Sequence, residues 1–303
     1  MSSAVFRQYD QATLDREYDN RGKVPLEVLQ AYRARWAEGS RKARSTMRCT
    51  LDIPYGASPL EKLDVFHPHA DGLRPVQIYI HGGYWHFGDK SDCSYVALGF
   101  DGLGMVTVTI NYGLAPAVQI GEQVRQCAAA VQWVRRHIAA YGGDPEQLYV
   151  TGHSAGAHLA LMMVAAEAGG GSPLVPPGRL KGICALSGIY DLEPIRAISV
   201  NDAVRLEPRD VQRLSPARLA CNADAHILVG VGGREGDEYL RQTDVLAAEW
   251  SKSAKRLEKK IYPDDDHFSI RTGLNDPSSE ICQDIRRLLT WNDAGSAGTG
   301  RPR

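Results

Sequence analysis

The chain has almost no net charge, no closely spaced cysteine pair and no long apolar run, and each absence removes a class of function. Its 35 Lys and Arg against 36 Asp and Glu leave a formal net charge of -1, which gives no electrostatic footprint for nucleic acid or an anionic membrane surface. The one basic cluster, RKARSTMR at 41–48, reads as a solvated helix end. No stretch of about 18 apolar residues is present to span a membrane. The first residues, MSSAVFRQYDQ, lack the apolar core of a secretory leader, so the expected location is cytoplasmic. Six cysteines, Cys49, Cys93, Cys127, Cys184, Cys221 and Cys282, are scattered without C-x-x-C spacing. They read as free thiols, not as zinc ligands or disulfides, and no metal or organic cofactor is expected.

What is present is material for a large core: 303 residues, 43% of them hydrophobic, enough for one α/β domain. Residues 1–46 read as a helical arm, with Pro25 near a helix start and Leu29, Tyr32 and Trp36 on one face. This arm is expected to pack over the main sheet or to form part of a lid. From Met47 the pattern changes to strands, RCTLDIPY, KLDVFHP and VQIYI, followed by MVTVTI at 105–110. A helix follows, with Ile120, Val124, Cys127, Val131, Val134 and Ile138 at three- and four-residue steps. Further strands are expected at LKGICALSGIYDL, HILVGVGG and KKIYP, and a closing helix at Ile281, Ile285, Leu288 and Leu289. The expected domain spans 47–291, and the tail NDAGSAGTGRPR, 292–303, is expected to be disordered. Strands alternating with helices imply a mostly parallel central sheet flanked by helices, with sites at the strand C-terminal ends.

The chemistry gathers around QLYVTGHSAGAHLA at 147–160. Here an apolar strand ends in Gly-His-Ser-Ala-Gly and passes into a helix-prone run, AHLALMMVAAEA. A serine on so tight a strand-to-helix turn holds its hydroxyl out of the fold, and the residues two before and two after must be very small; Gly152 and Gly156 meet that need. Ser154 is the candidate nucleophile. His81-Gly82-Gly83-Tyr84-Trp85 follows a buried strand. Bare amides at Gly82 and Gly83, with the amide of Ala155, are candidate donors to an oxyanion; an ordinary turn is the alternative, and His81 reads as structural. A serine hydroxyl needs a base oriented by a carboxylate. His267, on the loop after the last strand, fits the order nucleophile, acid, histidine. His153 and His158 flank the elbow with side chains expected to point away, and His226 begins a buried strand. The acid should leave the loop after HILVGVGG, which offers Glu235, Asp237 and Glu238. Glu235 comes first, Asp237 is the substitute, and Asp264–Asp266 read as a solvated loop face.

The set HGGYW, NYGLAP, GHSAGAHLA, SGIYDLEPI and DHF resembles the kynurenine formamidase (arylformamidase) group of α/β-hydrolases, which borders the hormone-sensitive-lipase-like esterases. The resemblance spans residues 50 to 290. It implies an α/β-hydrolase fold, Ser154 as nucleophile, His267 as base and the glycines of HGGYW as the oxyanion loop. The family's acid is usually aspartate, where this chain places Glu235. The implied reaction is hydrolysis of N-formyl-L-kynurenine to kynurenine and formate through a formyl-serine, a step of tryptophan catabolism. Tyr84, Trp85, Tyr190 and Phe268 are then candidates to line the aromatic side of the substrate, with core packing as their alternative. A carboxylesterase acting on small acyl esters shares these motifs. A non-catalytic ligand-binding protein on the same fold, as the gibberellin receptor is, would not need nucleophile, histidine and glycine loop together. A homodimer is left open.

Overall fold

The computed structural model describes residues 4–69, 72–167 and 169–294. Its strands are β1 (Cys49–Pro54), β2 (Lys62–Phe66), β3 (Arg74–Ile80), β4 (Val106–Ile110), β5 (Gly143–His153), β6 (Gly182–Leu186), β7 (His226–Gly232) and β8 (Arg256–Tyr262). They form one sheet in the order β1-β2-β4-β3-β5-β6-β7-β8. The pairs β1–β2 and β2–β4 are antiparallel, and every later pair is parallel. Continuous apolar runs belong in strands covered on both faces, and VTVTI of β4 and GICAL of β6 are buried along their whole length. In β3, Val76, Ile78 and Ile80 pack into one core cluster and Tyr79 into another, as the two-residue period of a strand requires.

The register positions the site. Ile80 lies beside Gly152, His153 beside Leu186, and Leu186 beside Gly230. The chain therefore leaves β3, β5, β6 and β7 at neighbouring points on one edge of the sheet, where α/β proteins gather their chemistry.

The helices are α1 (Gln11–Tyr18), α2 (Leu26–Thr46), α3 (Val96–Gly102), α4 (Ile120–His137), α5 (Ala155–Met162), α6 (Asn201–Val204), α7 (Pro208–Leu214), α8 (Asp237–Trp250), α9 (Ser269–Thr272) and α10 (Glu280–Ala294). Helix α4 buries Ile120, Val124, Cys127, Val131 and Val134, and ends on Arg135, Arg136 and His137, cations that oppose the C-terminal end of the helix dipole. Helix α5 is buried on every side and stops at Met162, partway through the helix-prone run. Beyond it the Ala166 amide donates to Ala220 O and Ala165 bridges Cys221, so tertiary pairing overrides local propensity. Helix α10 continues through Ala294, into the segment expected as tail, and 295–303 lie outside the described residues.

The arm of α1 and α2 packs across the C-terminal edge of the sheet. Leu14 and Tyr18 join the main core. Trp36 Nε1 donates to Thr272 Oγ1 at 2.8 Å, and Tyr32 OH to Asp266 at 3.1 Å.

Candidate active site

Ser154 sits at φ 57°, ψ -123°, a conformation that costs a non-glycine residue about 1–3 kcal/mol and persists only where its surroundings enforce it. The enforcement is local. Its amide donates to Leu186 O at 2.8 Å. A Cβ on Gly152 would meet Gly156 O at 2.2 Å, and one on Gly156 would meet Ile80 O at 2.1 Å. Both glycines are thus demanded by the approach of α5 to β5 and β3. A Cβ on Gly82 would lie 2.7 Å from His153 O and 3.0 Å from Ser154 Cβ, so the HGG loop rests directly against the serine.

That loop is a run of positive φ: Gly83 at 121°, Tyr84 at 45° and Trp85 at 61°. Gly83 O accepts from the amides of His86 and Phe87, both at 3.0 Å, while the Gly82 and Gly83 amides make no backbone bond among the described residues. Ala155 opens α5, where an amide has no intrahelical acceptor. Bare amides thus flank Ser154. Buried anchors hold the strain. Trp85 Nε1 donates to His158 Nδ1 at 3.2 Å, and Trp85 O accepts from Gln123 Nε2 at 2.8 Å. Tyr84 OH donates to Tyr18 O at 2.6 Å.

His267 Nδ1 lies 2.6 Å from Glu235 Oε2. Glu235 Oε1 accepts from Ser187 Oγ at 2.5 Å and from the Gly232 amide at 2.6 Å. Lys23 Nζ donates to the Glu235 carbonyl at 2.6 Å. Glu235 is 1% exposed and His267 6%, so the pair is shielded from water except where His267 meets the cleft. With Nδ1 engaged, Nε2 is the ring nitrogen left to work. No hydrogen bond joins it to Ser154 Oγ among the described residues; such contacts commonly tighten when substrate docks. His153 Nε2 donates to His267 O at 2.8 Å and so braces the loop. Burial, with His267 alongside, holds His153 well below the usual imidazole range. Asp237 is exposed on the first turn of α8, and Glu238 is taken by Tyr18 and Arg241. Of the three carboxylates on this loop, Glu235 is the one that meets His267.

Ser154, His267, Gly82, Gly83, Tyr84 and Phe268 all line one cleft of about 1150 Å³. Trp85 and Tyr190, expected on its aromatic wall, do not. The left-handed turn at Trp85 sends the indole beneath α5 onto His158, and Tyr190 is fully buried with its OH 3.3 Å from Ala185 O. Their place on the wall is taken by Trp36 of α2 with Tyr18 and Leu29. Sequence reasoning also missed Ser187 and Lys23. Ser187 stands in SGIYDLEPI, a motif noticed only as a family mark, and its φ of 53° aims it at Glu235. Lys23 carries no spacing signal, since its contact crosses 212 residues. No group of three or more His, Cys, Asp or Glu that could hold a metal exists among the described residues.

A serine on a strained elbow, bare amides against it and a buried carboxylate–histidine pair at the C-terminal edge of a mostly parallel sheet define an α/β-hydrolase. Kynurenine formamidases from Salmo salar and Danio rerio are each 32% identical to the chain over 270 and 269 residues, covering 87% of it and 90% and 89% of themselves. The chain belongs to the kynurenine formamidase family. The family model BD-FAE matches residues 63–208. A crystal structure from Silicibacter sp. TM1040, described as that of a candidate thioesterase, superimposes with a TM-score of 0.77 at 28% identity, covering 91% of this chain and 98% of that one. Among the described residues no helix is long and apolar enough to cross a membrane.

Proposed function

We propose that the protein hydrolyses N-formyl-L-kynurenine to L-kynurenine and formate. The observation that carries this reading is a serine-hydrolase constellation opening on one cleft in a chain that matches kynurenine formamidases over nearly its full length. Ser154 Oγ attacks the formyl carbonyl as His267 Nε2 takes its proton, and Glu235 holds the imidazole in the productive tautomer and stabilises the imidazolium. The amides of Gly82, Gly83 and Ala155 receive the oxyanion. His267 then returns the proton to the departing aryl amine. Water, activated by the same histidine, releases formate from the formyl-serine and restores Ser154. The acyl part is as small as an acyl group can be, which suits a nucleophile pressed against the Gly82 backbone. Tyr84 and Phe268 flank the aryl leaving group. No step calls on a cofactor.

Likeness to the candidate thioesterase favours a second reading, a carboxylesterase on small acyl esters using the same residues. Comparing kcat/KM for N-formyl-L-kynurenine with that for a short-chain aryl ester separates the two. Preference for the formamide is expected, and ester turnover without formamide turnover would overturn it. A pure binding role has no use for a shielded Glu235–His267 pair beside an elbow serine. We place the protein in the cytoplasm, where its free cysteines stay reduced. Every residue this mechanism names comes from one chain, so the reading calls on no partner subunit.

A further inference from the structure

Arg271 is a charged cleft residue, near the catalytic histidine in sequence, that the proposed chemistry leaves unused. It lies four residues after His267 on a helical turn in which the Ile270 amide donates to Asp266 O and the Thr272 amide to Phe268 O, both at 3.3 Å. Residues so spaced stand on one face about 5–6 Å apart at Cβ. The guanidinium lies over Trp36, its Cζ 3.8 Å from the ring centroid, with Tyr95 at 5.8 Å, and Nε donates to Tyr95 OH at 3.1 Å. Its two terminal nitrogens have no acceptor, and no carboxylate pairs with it among the described residues. Two nearby acids are engaged elsewhere, Asp266 accepting from Tyr32 OH and the Phe268 amide and Asp89 from Asn111 and the Ser91 amide, while Asp92 on the same cleft is exposed and makes no ion pair with Arg271. Burying even half of an unpaired guanidinium is costly, and the aromatic stack offsets part of that cost. What remains is a fixed, planar pair of donors on the wall of the catalytic cleft.

We propose that Arg271 is the carboxylate-recognising residue of this cleft, selecting substrates whose leaving group carries a free carboxylate. The leaving-group assignment follows from His267, which protonates the departing amine and shares its helical turn with Arg271. A guanidinium fork matches a carboxylate in a bidentate pair that a lysine ammonium does not reproduce. The substrate's formamide identity rests on the proposed function, whereas the carboxylate subsite does not.

The test is kcat/KM on two pairs, N-formyl-L-kynurenine against formanilide, and a carboxylate-bearing aryl ester against its neutral counterpart, for the wild type, Arg271→Gln and Arg271→Lys. Each carboxylate-to-neutral ratio is internal to one preparation, so partial misfolding does not alter it. In Arg271→Gln the ratio should fall roughly 10- to 100-fold, mainly through KM, and Arg271→Lys should recover part of it. A ratio unchanged in Arg271→Gln for every pair that is turned over would overturn the proposal. Dead formamides with an Arg271-dependent ester ratio would keep the subsite and remove the formamide reading.

Discussion

A glutamate in the acid position must place one more methylene than an aspartate, and the loop after β7 uses that length. Glu235 folds back over its own turn, so that Oε1 reaches the Gly232 amide and Ser187 while Oε2 meets His267. Glu235→Gln should lower kcat by roughly a thousandfold or more, because the amide no longer fixes the tautomer. Glu235→Asp should fall between it and the wild type, and Asp237→Asn should stay within a few-fold of the wild type. Steady-state kinetics on the three variants check this, and a larger loss in Asp237→Asn than in Glu235→Gln would contradict it. Much at this scale was legible. An elbow serine, its two glycines and a histidine after the last strand have their spelling imposed by backbone geometry. Side-chain direction at a left-handed residue is not spelled out, so Trp85 was expected on the wall and lies beneath it, and Tyr190, expected there too, is buried in the core.

At the scale of elements, the strands were readable because β4 and β6 are continuous apolar runs. The early end of α5 was not, since it depends on Ala165 meeting Cys221. Nor was the destination of the arm, whose face was clear and whose partner was not. The structure ties α1, α2 and the segment between them to the surroundings of the site: Tyr18 O to Tyr84, Asn20 to Tyr239 of α8, Lys23 to the Glu235 carbonyl, and Trp36 to Thr272 of α9. The arm therefore forms one wall of the site, with Lys23 bonded to the backbone of the acid. Lys23 acts through Glu235, so Lys23→Met should lower kcat by about 10-fold while leaving KM nearly unchanged, the loss expected when one charged donor to a buried carbonyl is removed. Loss confined to KM would contradict this role.

Across the whole molecule, three histidines among the described residues, His81, His153 and His158, are buried imidazoles whose pKa burial lowers. Burial lowers His158 from the ordinary 6.5 to about 4, and burial with His267 alongside holds His153 well below its ordinary value. As pH falls the unfolded chain takes up these protons before the folded one does. Their stabilisation is thus full above about 6.5 and falls as pH drops below it, for His158 progressively down to about 4. For His158 the loss is on the order of 3 kcal/mol. His158→Gln can keep the bonds to Trp85 and Leu214 without titrating, so its urea midpoint should fall less steeply between those pH values; parallel slopes would contradict the assignment. The central claim is tested most directly by kcat/KM for N-formyl-L-kynurenine in the wild type and in Ser154→Ala preparations of matching thermal midpoint. The account predicts a loss of roughly ten-thousandfold or more, and near wild-type turnover by Ser154→Ala would contradict it.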